Sequence, residues 1–209
     1  MEEDINKLVF SRPVVEFATV AKEYCAYLEG IGGYSRKEFA RVMVSLLPLL
    51  YYKASLVPQT EPVYEEGNPK HVTEEYYMAL SLRIKGLLGE HDAFPEVFDA
   101  RISETDDQFS ASLAEYLSDI YQDLKDFTMI YQKGHIEEMN DALWECMLNF
   151  QEYWGIRLAN AIRAFHILQY SGIDIESDSS ENDEPESEKE IDTSQWIITK
   201  RQKDLRDNE

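Results

Sequence analysis

The sequence predicts an all-α protein, a helical bundle of five or six helices with a long C-terminal antiparallel hairpin as its spine. Three observations predict it. Apolar residues recur at spacings of three and four along most of the first 172 positions, which gives a helix one oily face. The nine glycines and seven prolines fall mostly between these periodic segments, a distribution that suits long helices better than a many-turned sheet. Hydrophobic residues make up 44% of the 209, ample for a core of single-domain size.

Taken in order, Ser11 is placed to cap a first helix from about Pro13 to Glu29, with Val14, Phe17, Val20 or Ala21, Tyr24 and Leu28 on its stripe and Gly30 to Gly33 ending it. Ser35 and Glu38 form a capping box that opens a second helix to about Ala54. From Val42 onward this helix is apolar nearly all round and is expected to lie centrally, with a kink at Pro48. Pro58, Pro62, Gly67 and Pro69 mark a loop from Ser55 to Lys70, long enough to be a covering flap or a functional element. Thr73 caps a shorter helix ending near Gly89, and residues 90–107 read as an irregular connector with room for a turn of helix at Pro95–Ala100. Two longer helices follow. Phe109 to Tyr131 carries Leu113, Tyr116, Ile120, Leu124 and Phe127 on one face; Ile136 to Tyr170 reads as a single helix closed by Gly172. A break as short as Lys133–His135 sets these two side by side and antiparallel.

Residues 1–172 thus form the helical domain. Residues 173–195 read as an acidic linker without order, because ten of the residues from Asp174 to Asp192 are Asp or Glu and little apolar surface accompanies them. Residues 196–209 form a short aromatic–basic segment in which Trp196 precedes Lys200 and Arg201; it reads as a partner-binding peptide or as an end held loosely by complementary charge.

Charge narrows the function. The chain carries 20 Lys+Arg against 41 Asp+Glu, net −21, and that sign repels nucleic-acid phosphate and anionic lipid. Neither nucleic acid nor membrane is an expected partner. The longest apolar run, Val42 to Tyr52, is far short of the ~20 residues a membrane span needs. Met1-Glu2-Glu3-Asp4 is acidic where a targeting sequence would be basic, so a cytoplasmic protein is expected. Cys25 and Cys146 stand apart among apolar neighbours and read as buried, reduced thiols.

The abundant carboxylates are the first candidates for a catalytic constellation. None of His71, His91, His135 and His166 follows an acid at the spacing of a di-iron bundle, and no zinc motif is present. No cofactor is implied. Asp123 and Asp126 on one hairpin helix, with Glu138 and Asp141 on the other, are the kinds of ligand that hold Mg²⁺ or Mn²⁺ against a polyphosphate in a helical phosphohydrolase. On a helical wheel, however, these acids oppose the apolar stripes, so both rows are expected in water.

Three stretches resemble a known family: Phe17 to Cys25, Asp119 to Phe127, and Asn149 to Gly155 continuing through Leu158 to His166. The family is bacterial, comprises proteins of about this length, and is described as a domain of unknown function. The resemblance covers roughly Asn6 to Gly172 and implies an all-helical intracellular domain, with no activity or ligand attached. It marks the polar residues within those stretches as a candidate shared site: Tyr121, Lys125, Glu152, Tyr153, Arg157, Asn160, Arg163 and His166, with Asp123, Asp126 and Asn149 beside them. The leading expectation is a non-enzymatic interaction or adaptor protein with a protein partner. The alternative is the metal-dependent phosphohydrolase on Asp123, Asp126, Glu138 and Asp141.

Overall fold

The structure, a computed structural model, describes residues 2–64, 67–95 and 110–176. The bundle begins earlier than the apolar periodicity indicates. A helix α1, Glu2–Val9, precedes α2, Arg12–Glu29. Its end is held by the Tyr131 hydroxyl, which donates to the Val9 carbonyl at 2.6 Å. Ser11 takes the cap position of α2, but its side chain accepts no bond from the helix, and Pro13 supplies the first-turn geometry instead.

Helix α3, Arg36–Ser55, opens with the expected capping box. Ser35 accepts from the Glu38 amide at 3.3 Å and the Glu38 carboxylate takes the Ser35 amide at 3.1 Å. Pro48 lies within this helix. Central burial of α3 is not what the structure shows. Phe39, Met43, Leu47 and Leu50 face the core, whereas Leu49, Tyr51 and Tyr52 stand exposed. Only one neighbour, α7 (Gly155–Tyr170), covers it extensively, with α2 behind. Helix α4, Glu74–Leu88, starts where Thr73 accepts from the Tyr76 amide at 3.2 Å.

The connector read as irregular contains a small antiparallel ribbon, β1 Ala93–Pro95 against β2 Ser110–Ser112, with Phe94 opposite Ala111. Asp92 fixes it: the carboxylate accepts from the Ser112 hydroxyl at 2.8 Å and the Ala114 amide at 2.7 Å. Most of the turn considered at Pro95–Ala100 lies outside the described residues.

Helix α5, Leu113–Tyr131, is capped by Ser112 and so begins later than the periodicity indicates, and α6, Ile136–Asn149, returns alongside it. Gly134 makes the turn at φ +79°, a backbone angle that L side chains rarely adopt. Contacts of Asp123 with Asn149 and of Asp119 with Tyr153 show the two rods antiparallel, as the short connection requires. The long second rod is not one helix. A π turn, Phe150–Trp154, separates α6 from α7, and the Gly155 amide reaches back five residues to the Phe150 carbonyl. The extra residue in that turn brings the Phe150 carbonyl so close that a Cβ at position 155 would sit 2.3 Å from it, so the turn requires glycine there.

The core runs through all of these helices. Trp154, Tyr24, Phe17 and Phe165 are fully enclosed, with the Tyr24 hydroxyl on the Leu117 carbonyl and the Trp154 indole on the Cys146 carbonyl. Cys25 and Cys146 are free and buried, and burial pushes both thiols up, far from reactivity. The body continues past residue 172. Ile175 is buried, its carbonyl accepts from Arg36 at 2.7 Å, and Glu176 takes the Lys37 amide at 2.8 Å. The first residues assigned to the acidic linker therefore lie on the helical domain. The rest of that linker, and Trp196, Lys200 and Arg201, lie outside the described residues.

Candidate functional site

The hairpin acids are where sequence and structure differ most. Asp126 and Asp141 are only 6% and 4% exposed, against the expectation that both rows stand in water. What covers them is the long loop between α3 and α4, which crosses the α5/α6 pair as a strap. The described residues of the strap form no regular secondary structure to take up their main-chain N–H groups, so side chains beneath them supply acceptors. Asp141 accepts from the Val63 and Tyr64 amides at 2.7 and 2.8 Å. Asp126 accepts from the His71 and Val72 amides at 2.7 and 3.0 Å. Glu145 takes Asn68 and Lys70 at 2.9 and 2.8 Å, and Asn140 bonds Thr60 and the Glu61 carbonyl.

Under the strap, Asp123, Asp126, Glu145 and Lys70 line a cavity of about 10 Å³, room for about one water. Burial pushes the Asp123 carboxyl up to about 6, against the opposing pull of its 2.6 Å bond from Asn149 and of Lys70. Glu138 stands apart from this group, paired with His135 at 3.1 Å. Among the described residues no group of three His, Cys, Asp or Glu side chains is arranged to hold a metal ion.

The other candidate residues divide among three places. Asp119 gathers Tyr77, Tyr153 and Arg157 at 2.8, 3.1 and 2.7 Å, and the Arg157 guanidinium lies 3.8 Å from the centre of the Tyr153 ring. With three donors on one carboxylate, this cluster staples α5 to α4 and to the π turn and α7. Tyr121 and Lys125 both donate to Glu29, at 2.8 and 2.7 Å, at the end of α2. Although burial opposes it, Glu29 is held below the usual carboxylate range by Lys125 and Tyr121. Tyr76 stacks on Tyr121 at 5.7 Å beside a hollow of about 440 Å³ that His71 and Thr73 also border. Glu152 and His166 are exposed, His166 tilted against Tyr170 at 4.8 Å, and exposed Arg163 reaches the Pro95 carbonyl at 3.5 Å.

Asn160 belongs to a different surface. It is 6% exposed, and its side-chain nitrogen finds no acceptor in the protein. It borders a hollow of about 550 Å³ between α3 and α7, floored by Gly155 and walled by Tyr51, Phe150, Ile156 and Ala159. Tyr51 and Phe150 meet edge to face at 5.4 Å. Gln151 also borders a second hollow, of about 160 Å³, where Trp144, Met147 and Leu148 face Pro58, Gln59, Thr60 and Glu61 of the strap. Together they form a trough along the second rod, apolar at the Ile156 end and mixed at the strap end. Sequence reasoning selected Asn160 but not Tyr51, Ile156 or Gly155. A glycine inside an otherwise unbroken helical pattern was the one available signal.

Residues 9–171 match the family model described as Domain of unknown function (DUF5063). The chain belongs to this family. A crystal structure of protein BF1032 from Bacteroides fragilis, a structural genomics target, is similar: TM-score 0.71, 38% identity, covering 80% of this chain and 98% of that one. The family and its bacterial neighbour agree with the resemblance read from the three sequence stretches, and neither description names an activity. Comparison with curated proteins finds no match. No helix among the described residues is long and apolar enough to cross a membrane.

Proposed function

We propose that this domain is a non-enzymatic interaction module that works in the cytoplasm and binds another protein. The observation that carries the reading is the internal use of the hairpin acids. Asp126 and Asp141 each accept two main-chain N–H groups of the strap, and Glu145 holds Asn68 and Lys70. To ligate a metal, Asp126 and Asp141 would have to leave four amides behind, each costing about 1–3 kcal/mol if it stayed buried and unpaired. The carboxylates are thus explained as structural anchors. Exposed large apolar side chains at Tyr51, Tyr52, Tyr153 and Ile156 support a docking surface instead.

Thermal unfolding under Mg²⁺ and Mn²⁺ titration tests this reading against the phosphohydrolase alternative. A ligand present at 100 times its dissociation constant stabilises a fold by about 2.7 kcal/mol, so a carboxylate site would be plain at millimolar metal. The expected result is no shift. A rise in melting temperature that vanishes in an Asp123→Asn, Glu138→Gln variant would return the domain to the enzymes.

A further inference from the structure

The trough has a length, a charge environment and one unpaired polar group, and together these define what fits it. It runs beside residues 144 to 160, about 24 Å at the helical rise per residue, the length of a four-turn helix. Its walls are apolar at Tyr51, Phe150 and Ile156 and mixed at the strap end, where Gln59, Thr60 and Gln151 join Trp144 and Met147; among these lining residues the one carboxylate is Glu61. Exposed Glu152 stands nearby on the π turn, and the chain as a whole carries −21. A partner with a positive rim is attracted and a negative one repelled. In the floor, Asn160 keeps an amide nitrogen buried and without an acceptor, a cost that native structures rarely carry without a use.

We propose that the trough docks an amphipathic helix of a partner protein, with a basic rim and one amide side chain in its apolar stripe opposite Asn160. The inference rests on the reading of the domain as an interaction module and names the partner's chemistry. Ile156, 58% exposed, and Tyr51 grip the apolar stripe as anchors in a groove. When the Asn160 amide turns toward the trough, the incoming amide oxygen accepts from it, pairing a nitrogen that has no protein acceptor in the free domain.

The probe is a synthetic sixteen-residue helix of about four turns with leucines at helical spacing, one central glutamine among them, and lysines flanking the stripe. Its backbone-amide NMR footprint is expected on Tyr51 and on residues 144–160, with binding that weakens as salt is raised. Ile156→Asp, on an exposed position, is expected to weaken binding by about tenfold, or ~1.4 kcal/mol. In a double-mutant cycle, replacing the peptide glutamine by leucine and Asn160→Leu are expected to show coupling, while Asn160→Leu alone raises the melting temperature of the free domain.

Equal binding by a peptide with its leucines scattered round the helix would leave only charge attraction and overturn the proposal. So would affinity indifferent to Ile156→Asp, or a footprint on the strap. Absent coupling would remove Asn160 from the contact. A wild-type dimer in sedimentation that Ile156→Asp dissolves would make a second copy of the chain the occupant. Metal titration of the same preparation keeps the two failures apart, since a silent titration with no peptide binding removes the trough and leaves the non-enzymatic reading standing.

Discussion

Along the strap, an irregular stretch of chain lies over two helices, and Asp126, Asp141, Glu145 and Asn140 take up its amides and side chains. Along the trough, beside the same second rod, the π turn opens a hollow whose walls are tyrosine, phenylalanine and isoleucine and whose one buried amide nitrogen goes unpaired. The first region uses charge to hold the protein's own backbone. The second exposes apolar area with nothing of the described chain upon it. Acids are therefore a poor guide to function in so acidic a chain, and the proposed docking site rests instead on a less conspicuous place, a glycine with a lone asparagine five residues on.

Removing a strap anchor is the most severe way to break this contrast. Asp126→Ala leaves the His71 and Val72 amides without their acceptor at a place where Val72 is buried, and two orphaned donors at about 1–3 kcal/mol each give a loss of about 4 kcal/mol. Asp126→Asn keeps an acceptor oxygen and is expected to lose about half as much. Denaturant unfolding of both variants measures this. If Asp126→Ala is as stable as wild type, the strap is not held by its acids, and the carboxylates are again free for ligands.

Gly155→Ala attacks the other region. The new methyl group would stand 2.3 Å from the Phe150 carbonyl and 3.0 Å from the Phe150 ring, so the π turn must reshape. Overpacking of this kind costs about 3 kcal/mol. Because the turn shapes the trough, hydrogen exchange is expected to quicken at residues 150–156 and around Tyr51 while the strap amides stay protected. A variant that melts with the wild type would show that the turn relaxes to ordinary helix without penalty.

How much of this was legible in the sequence follows from how local each cause is. Ser35 with Glu38, and Thr73 with Tyr76, are contacts over three residues, and both were read in advance or placed correctly. The hairpin was legible because a connection of four residues leaves two rods no choice but to pack together. The burial of Asp141 was not, since its covering amides come from Val63 and Tyr64, 78 and 77 positions away, and a helical wheel knows nothing of a strap. The π turn escaped because the three-and-four spacing of Met147, Phe150, Trp154 and Leu158 passes through it undisturbed. Strands of three residues offer too little alternation to be seen at all. Of the candidate polar residues, two pairs proved to be staples, Glu152 and His166 stand exposed, and Asn160 keeps a buried nitrogen without a protein acceptor.

Asp123 takes a side-chain amide of α6 rather than a group of the strap, and it gives the smallest and most diagnostic effect. Its carboxyl is raised from 3.8 to about 6, chiefly by burial. Between those values the folded chain holds a proton that the unfolded chain has released, so this group makes stability fall as pH rises through about 4 to 6. Near pH 4 the group contributes little penalty, and above pH 6 the penalty is complete. Asp123→Asn keeps an oxygen for Asn149 and removes the buried charge, along with its attraction to Lys70. The variant is therefore expected to match wild type at pH 4 and to exceed it by about 2 kcal/mol at pH 8, read from melting curves across that range. An Asp123→Asn domain that is weaker than wild type at pH 8 would mean that the charge is wanted there, and that the space under the strap is a site rather than a seam.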